Sequence, residues 1–540
     1  MNESTRSVAL TYARGFGDEG CGASGILITD DWVVSHGSLL SARVASNRTL
    51  REFFARLETG KLTRMPGDAE DDLELRVFRQ ESRYRTPSKE ELFNDASTEF
   101  RSPKIEEIEG CVAVAWRCPL LEKTLRELAF SWSFDKTRNI DSSLLSIFLM
   151  IYLKKKWHER SVTNDAVVPC AQEALTQFAN KTRPPLQIPP RSTLVEVSST
   201  PFGNPVFIDS ISRGVVSNVF GEAGCIILTD ANSVPGSEGA PVYVTGQDGT
   251  RRSICGMVIA PLSWCRGEWV DYTFAASILP CLRRSLFGNE EHSSSTNVSR
   301  KIFNKPDTRI ADLLDESLVL VRCGDGWGTG IILDVRTGTI ITCSHVVQKA
   351  PESRIKVVLR RGDDPQSSGS SSTWAKLVYR TAKGKPYDVA VLRVDPREIE
   401  PTLRSITIAD FGPVIRGEAI ASAGFPFFSS RFPTITRGNV SGVTECMLQT
   451  TCCIQSGSSG GPIVRWSTGE MLGMVVCNAI STTKSKIYPR LNMAVPVSVL
   501  EPPLREYLKT GQATVLEILD TDDPTVRQTW NFHHLPSSKI

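Results

Sequence analysis

The chain has little that would tie it to nucleic acid, a membrane or a metal. Lys+Arg and Asp+Glu nearly balance, 62 against 60, and leave a net charge of +2. No basic stripe therefore draws it to nucleic acid or to anionic lipid. The longest apolar run, LLSIFLMIYL at 144–153, is ten residues, about half of the ~20 that a membrane-spanning helix needs. No membrane span is expected; the run reads as a buried helix or strand, inserted locally. The 14 cysteines form no CxxC…CxxC pattern, which argues against a zinc site, and no cofactor is expected. The start, MNESTRSVALTYARG, lacks the basic-then-apolar pattern of a secretory leader. The thiols are accordingly expected to be free, in a reducing compartment. Histidine is scarce: six, at 36, 158, 292, 345, 533 and 534.

What is present is a repeat. CGASGILITDDWVVSHGSLL (21–40) matches GWGTGIILDVRTGTIITCSHVV (326–347), and CVAVAWR (111–117) matches DVAVLR (388–393). SRGVVSNV (212–219) matches TRGNVSGV (436–443), and GSEGAPVYV (236–244) matches GSSGGPIVR (457–465). Colinear matches imply two copies of one domain. Between them FGNEEHSSSTNVSRKIFNKP (287–306) has the polar composition of a linker. The expected units are 1–286, a linker at 287–310, a second domain at 311–512 and a tail at 513–540. Short Val/Ile/Leu-rich runs broken by Gly, Pro, Asp and Ser indicate an all-β chain of barrels or sandwiches.

The second copy carries a possible nucleophile. Glycines at 457, 460 and 461 allow GSSGGP a tight backbone that presents Ser459. That serine needs a base and a group to orient the base. His345 follows one apolar strand and Asp388 precedes another; the order His345, Asp388, Ser459, at intervals of 43 and 71 residues, is that of a chymotrypsin-type triad.

GTGIILD, IITCSHVV, YDVAVLRVD, GSSGGPIV and GEMLGMVV together resemble the trypsin-like domain of Deg/HtrA-type serine proteases. The resemblance runs from about 315 to 505 and, weakly, across the first copy. It implies tandem trypsin-like double β-barrel domains, the first degenerate and the second catalytic. It implies His345 as general base, Asp388 as its orienting carboxylate, Ser459 as nucleophile, and the amides of Gly457 and Ser459 as the oxyanion hole. Carried back through the repeat, His345 falls on His36, Asp388 on Cys111 and Ser459 on Glu238. A Glu in the nucleophile's place leaves the first copy without chemistry. No PDZ domain is expected after Leu500, a departure from most of the family.

The resemblance further implies a primary pocket lined by Cys452, Cys453, Ile454 and Gln455 and by part of Val475, Val476, Cys477 and Asn478, with Cys453, Ile454, Val476 and Asn478 as the chief candidates. None is acidic, so a small uncharged residue at the cleavage position is expected, since a buried cation would lack a counter-charge. The last residues, Ser538, Lys539 and Ile540, differ from the peroxisomal address SKL by one apolar isomer. A Deg/HtrA-like domain, a degenerate repeat, no PDZ domain and this terminus together resemble the processing proteases of peroxisomes. That resemblance implies a matrix endopeptidase that removes leader peptides from imported precursors, including β-oxidation enzymes, with self-cleavage. Its partners would be precursor substrates, the import receptor at the C-terminus and other copies of itself in a homo-oligomer. A cytosolic quality-control protease and an inactive scaffold remain as alternatives.

Overall fold

The structure, a computed structural model, describes residues 6–13, 22–80, 105–128, 132–133, 142–154, 165–181, 188–246, 249–265, 268–287, 305–350, 354–360, 371–409, 413–426, 432–481 and 486–530. Twenty-four strands build four six-stranded rings. The first ring holds β1 (Arg6–Tyr12), β2 (Gly22–Leu27), β3 (Trp32–His36), β4 (Glu74–Gln80), β5 (Ile105–Arg117) and β6 (Ile147–Lys154). The second holds β7 (Leu194–Ser199), β8 (Ser210–Phe220), β9 (Ile226–Thr229), β10 (Pro241–Thr245), β11 (Arg251–Cys265) and β12 (Glu268–Ser277). The third holds β13 (Leu318–Cys323), β14 (Gly326–Asp334), β15 (Thr339–Thr342), β16 (Ile355–Arg360), β17 (Ser371–Arg380) and β18 (Ala390–Arg393). The fourth holds β19 (Ala419–Gly424), β20 (Thr434–Val443), β21 (Leu448–Thr450), β22 (Pro462–Arg465), β23 (Met471–Ser481) and β24 (Lys486–Pro496).

All four rings have one topology. The third runs β13-β14-β15-β18-β17-β16 and the fourth β19-β20-β21-β24-β23-β22; the first two repeat these orders as β1-β2-β3-β6-β5-β4 and β7-β8-β9-β12-β11-β10. Short strands Thr63–Arg64 and Trp132–Ser133 add to β5 and β11. Closure pairs every ring strand on both sides, so among the described residues the rings themselves have no open edge. The β-branched and aliphatic residues that make these strands fill the ring interiors: Val8, Val33 and Val77 in the first, Val319, Val321 and Ile340 in the third. The chain is thus a tandem pair of trypsin-like double barrels, as its motifs predict.

Two expectations fail on register. Residues 147–154 are no insertion. They form β6, which pairs with β3 (Ser35 opposite Leu149) as β18 pairs with β15 (Thr342 opposite Ala390). The counterpart of 388–393 is therefore this apolar run, and 111–117 belongs to β5, the counterpart of β17. The run is so apolar because it is buried nearly throughout, on both faces.

Helices cover the ends of the rings. Val167–Lys181 packs Ala171, Leu175 and Phe178 between the first two rings. Lys305–Ser317 leads into β13. Val497–Thr510 buries Leu500, Leu504 and Tyr507 against the third and fourth rings and stops at Gly511, whose φ of +70° closes the helix in the left-handed region. Beyond it, Leu516 and Leu519 join the same core, and the Trp530 indole donates to the Cys446 carbonyl at 3.0 Å.

The two halves pack together along β8 and β20 and along β12 and β24. Asn218 Nδ2 donates to Thr434 Oγ1 at 3.0 Å, and the buried Asp230 accepts from the amides of Val215 at 2.7 Å and Arg437 at 2.6 Å. Arg191 pairs with Asp315 and donates to the Pro433 carbonyl.

Candidate active site

The third ring supplies two of the three expected groups. β15 ends at Thr342, and the chain turns at once into a short 3₁₀ helix, Ser344–Val347, which carries His345. Asp388 lies just before β18, the strand beside β15, so the pairing of two strands sets imidazole against carboxylate. Asp388 holds the residue twice: Oδ1 accepts the His345 amide at 2.9 Å, and Oδ2 accepts Nδ1–H. This fixes the ring and its tautomer, leaving the Nε2 lone pair to act as base. Burial pushes the His345 pKa down, but the hydrogen bond that it donates to Asp388 and the carboxylate's charge outweigh that, and the imidazole pKa lies above its ordinary value. Cys343 completes a group whose ligand atoms lie within 4.8 Å of one another. Its thiol, though, is turned to the Val475 carbonyl at 3.2 Å, and Nδ1 is taken by Asp388.

The fourth ring supplies Ser459, on the loop between β21 and β22. Thr329 on β14 clamps the loop: its amide donates to the Ser459 carbonyl at 2.9 Å and its hydroxyl to the Gly457 carbonyl at 2.8 Å. Gly460 backs onto Thr342 and Cys343, at the end of the strand that delivers His345. Within the loop the amides of Ser458, Gly460 and Gly461 donate to the carbonyls of Gln455, Val475 and Ser458. The amides of Gly457 and Ser459 have no acceptor among the described residues. Two fixed, unspent donors beside a serine hydroxyl are what an oxyanion requires. Ser459 Oγ itself donates to the Val476 carbonyl at 3.3 Å.

The expected pocket residues gather beside this loop. Asn478 Nδ2 donates to the Ile454 carbonyl at 2.8 Å, joining the two stretches. Val476 and Ile454 are buried. Cys453 turns its thiol away, onto the Asp271 carbonyl of the first half at 3.4 Å. Burial pushes the thiols of Cys452 and Cys453 up, the latter to about 12, so neither is a ready thiolate at neutral pH. Ser538, Lys539 and Ile540 lie outside the described residues.

The first half repeats much of this scaffold, with other side chains at the triad positions. Ser24 replaces Thr329, with its amide on the Glu238 carbonyl at 2.9 Å and its hydroxyl on the Gly236 carbonyl at 2.9 Å. Gly236 and Gly239 have φ of +92° and +86°, against +93° and +84° at Gly457 and Gly460. The Glu238 carboxylate accepts the Gly236 amide at 2.7 Å, so the donor left open at Gly457 is filled here. Ser35 bonds Ser24 as Thr342 bonds Thr329, each at 2.7 Å. His36 therefore stands where Cys343 does, and Ser38 takes the place of His345. By the same strand register Ile147, and not Cys111, takes the place of Asp388. The expectation that one triad histidine survives is thus corrected to none: the SH pairs at 35–36 and 344–345 are two residues out of step.

His36 is structural. Fully buried, it donates from Nε2 to the Leu145 carbonyl at 3.0 Å and accepts at Nδ1 from the Ser38 amide at 3.3 Å. Burial, only partly offset by the Leu145 bond, pushes it down to about 4. Between pH 6.5 and 4 the unfolded chain therefore binds a proton that the folded chain refuses. Stability of the first half is full above pH 6.5 and falls, by up to about 3 kcal/mol, as pH drops toward 4. Urea midpoints against pH should show this slope, and His36→Gln should flatten it.

The trypsin-like peptidase domain family matches residues 328–474. The chain carries a trypsin-like peptidase domain. All three expected triad positions fall within the span of this domain. Over 377 residues the chain is 32% identical to the peroxisomal leader peptide-processing protease of Homo sapiens, covering 66% of this chain and 63% of that one. The Mus musculus protein of the same name is 32% identical over 365 residues, 63% of this chain and 61% of its own. The periplasmic serine endoprotease DegP of Salmonella typhimurium is 30% identical over 157 residues, 27% of this chain and 29% of its own. The chain thus spans under two thirds of the length of these relatives. Thr329 and Cys343, within the span 328–474, and Trp327, just before it, are residues that motif reading passes over. Trp327 donates to the Phe425 carbonyl at 2.9 Å, tying the third ring to the fourth beside Gly457.

Proposed function

We propose that the chain is a serine endopeptidase that removes N-terminal leader peptides from peroxisomal precursor proteins. The observation that carries the chemistry is the combination of His345 oriented twice by Asp388 with the two open amides flanking Ser459. The human and mouse relatives, both named for leader-peptide processing in peroxisomes, support the substrate class. In this reading His345 Nε2 takes the Ser459 proton as Oγ attacks the scissile carbonyl. The Gly457 and Ser459 amides bind the oxyanion, and the imidazolium, stabilised by Asp388, protonates the leaving amine. Water then repeats the sequence and frees the acid. The uncharged residues 452–455 and 475–478 favour a small uncharged side chain before the cut. The matrix location, recognition of Ser538–Ile540 by an import receptor, self-cleavage and a homo-oligomer belong to the same reading.

The test is to incubate the purified chain, and its Ser459→Ala variant, with a precursor that carries a leader peptide, following intact mass over time. One new mass with the unaltered chain alone, short by the leader, is expected. Failure of the unaltered chain both to cleave and to react at Ser459 with a fluorophosphonate would sink the proposal.

A further inference from the structure

The segment expected to line the substrate pocket, Cys452–Gln455, is in contact with the first half. On β24 the register slips: Asn478 and Ala479, adjacent on β23, face Asn492 and Tyr488, so residues 489–491 bulge out of the sheet. The bulge delivers Arg490 across the interface. There the Arg490 guanidinium pairs with the Asp271 carboxylate and donates from Nη2 to the Asp230 carbonyl at 2.6 Å. Both partners belong to the first half. Asp271 is engaged a second time, its carbonyl accepting the Cys453 thiol. Cys453 packs with Tyr272, Phe274 and other residues of the first half, in contrast to its neighbours Cys452 and Ile454, which fill the fourth ring.

The segment Cys452–Gln455 is therefore held from two sides. From within the peptidase domain, Asn492 Nδ2 donates to the Cys452 carbonyl at 2.7 Å and Asn478 Nδ2 to the Ile454 carbonyl at 2.8 Å. From the first half, Asp271 holds Cys453 directly and, through Arg490, the bulge two residues before Asn492. The segment runs straight on to the nucleophile loop, where the Ser458 amide donates to the Gln455 carbonyl at 2.9 Å.

We propose that Asp271 of the first barrel pair is a positioning residue for the substrate pocket of the second: together with Arg490 it fixes the wall Cys452–Gln455, so productive substrate binding depends on the inactive half. The proposal rests on the peptidase reading above. A degenerate copy that buttresses the pocket of its active twin has reason to keep its scaffold while losing all three triad groups. The Asp271–Arg490 pair is partly desolvated, and among the described residues the guanidinium makes no second ion pair, so removing the Asp271 charge leaves it only the longer-range attraction of Asp230.

The experiment uses the full chain and two readouts. One is the rate at which diisopropyl fluorophosphate, a small probe, phosphorylates Ser459. The other is kcat and KM for a peptide cut after a small uncharged residue. Asp271→Asn should raise KM about tenfold while probe labelling stays within about twofold of the unaltered chain. Asp271→Glu, which keeps the charge, should recover most of that loss. Arg490→Lys, which keeps the charge without the fork, reads the same coupling where Asp271→Asn fails to fold. Unchanged KM in these variants, with Ser459 still labelled, overturns the proposal and spares the peptidase reading. Equal losses in labelling and in KM overturn it too, since a generally loosened fold would do that. An unaltered chain that neither labels nor cleaves removes the peptidase reading itself.

Discussion

His345→Ala is expected to lower turnover about 10⁶-fold, and so is Ser459→Ala, because under the proposed mechanism either loss dismantles the proton transfer that makes the serine a nucleophile. The double variant is expected to be no worse than either single one, since the groups act as a unit. Asp388→Asn costs less, about 10⁴, and its signature is in the pH profile. The base works only when neutral, so activity falls as pH drops through the His345 value, which Asp388 holds above the ordinary 6.5. With the carboxylate gone the opposing effect of burial is left, and the acid limb of kcat/KM should move below 6.5. Stopped assays from pH 5 to 9 on both proteins check this. A limb that stays in place would show that His345 is not the titrating base. Ser38→Ala in the first half, at the position equivalent to His345, should leave both rate and limb unchanged.

The architecture was legible because a nucleophile loop needs glycines at fixed places, and those places recur at 236 and 239 and at 457 and 460. The order of His345, Asp388 and Ser459 was legible for a similar reason, since the first two sit beside strands that apolar runs mark out and the third sits in the glycine-rich loop. Register in the first half was not. CVAVAWR and DVAVLR match because alternating Val and Ala serve any ring strand, and only the pairing of β6 with β3 separates the true counterpart from its neighbour. His36 misled because Ser-His occurs in both copies, while the bond from Ser35 to Ser24 fixes a register two residues away. A match in letters cannot see a hydrogen bond. The Asp271–Arg490 contact was invisible for a different reason. It spans 219 positions and hangs on a strand bulge that carries no motif.

Gly460→Ala should cost about 3–5 kcal/mol and nearly all activity. Its φ of +84° strains any L side chain, and a Cβ there would stand 2.2 Å from the Thr329 carbonyl oxygen and 2.6 Å from Thr342 Oγ1. Neither obstacle is the loose end of a flexible chain: one is backbone, the other a hydroxyl already bonded to that same carbonyl. The loop must therefore back away from β14 and β15, carrying Ser459 from His345 and opening the pair of amides. Gly239→Ala poses the same steric problem in the first half, with a Cβ 2.2 Å from the Ser24 carbonyl oxygen and 2.6 Å from Ser35 Oγ, at a φ of +86°. It should destabilise by a similar amount, read from denaturant midpoints, yet leave far more activity per folded molecule. The two substitutions do equal harm to equivalent scaffolds, so any difference in rate measures what the loop at 457–461 does beyond holding the fold. Equal loss of rate from both would mean that Glu238 and its loop take part in turnover, and the first half could then no longer be regarded as chemically silent.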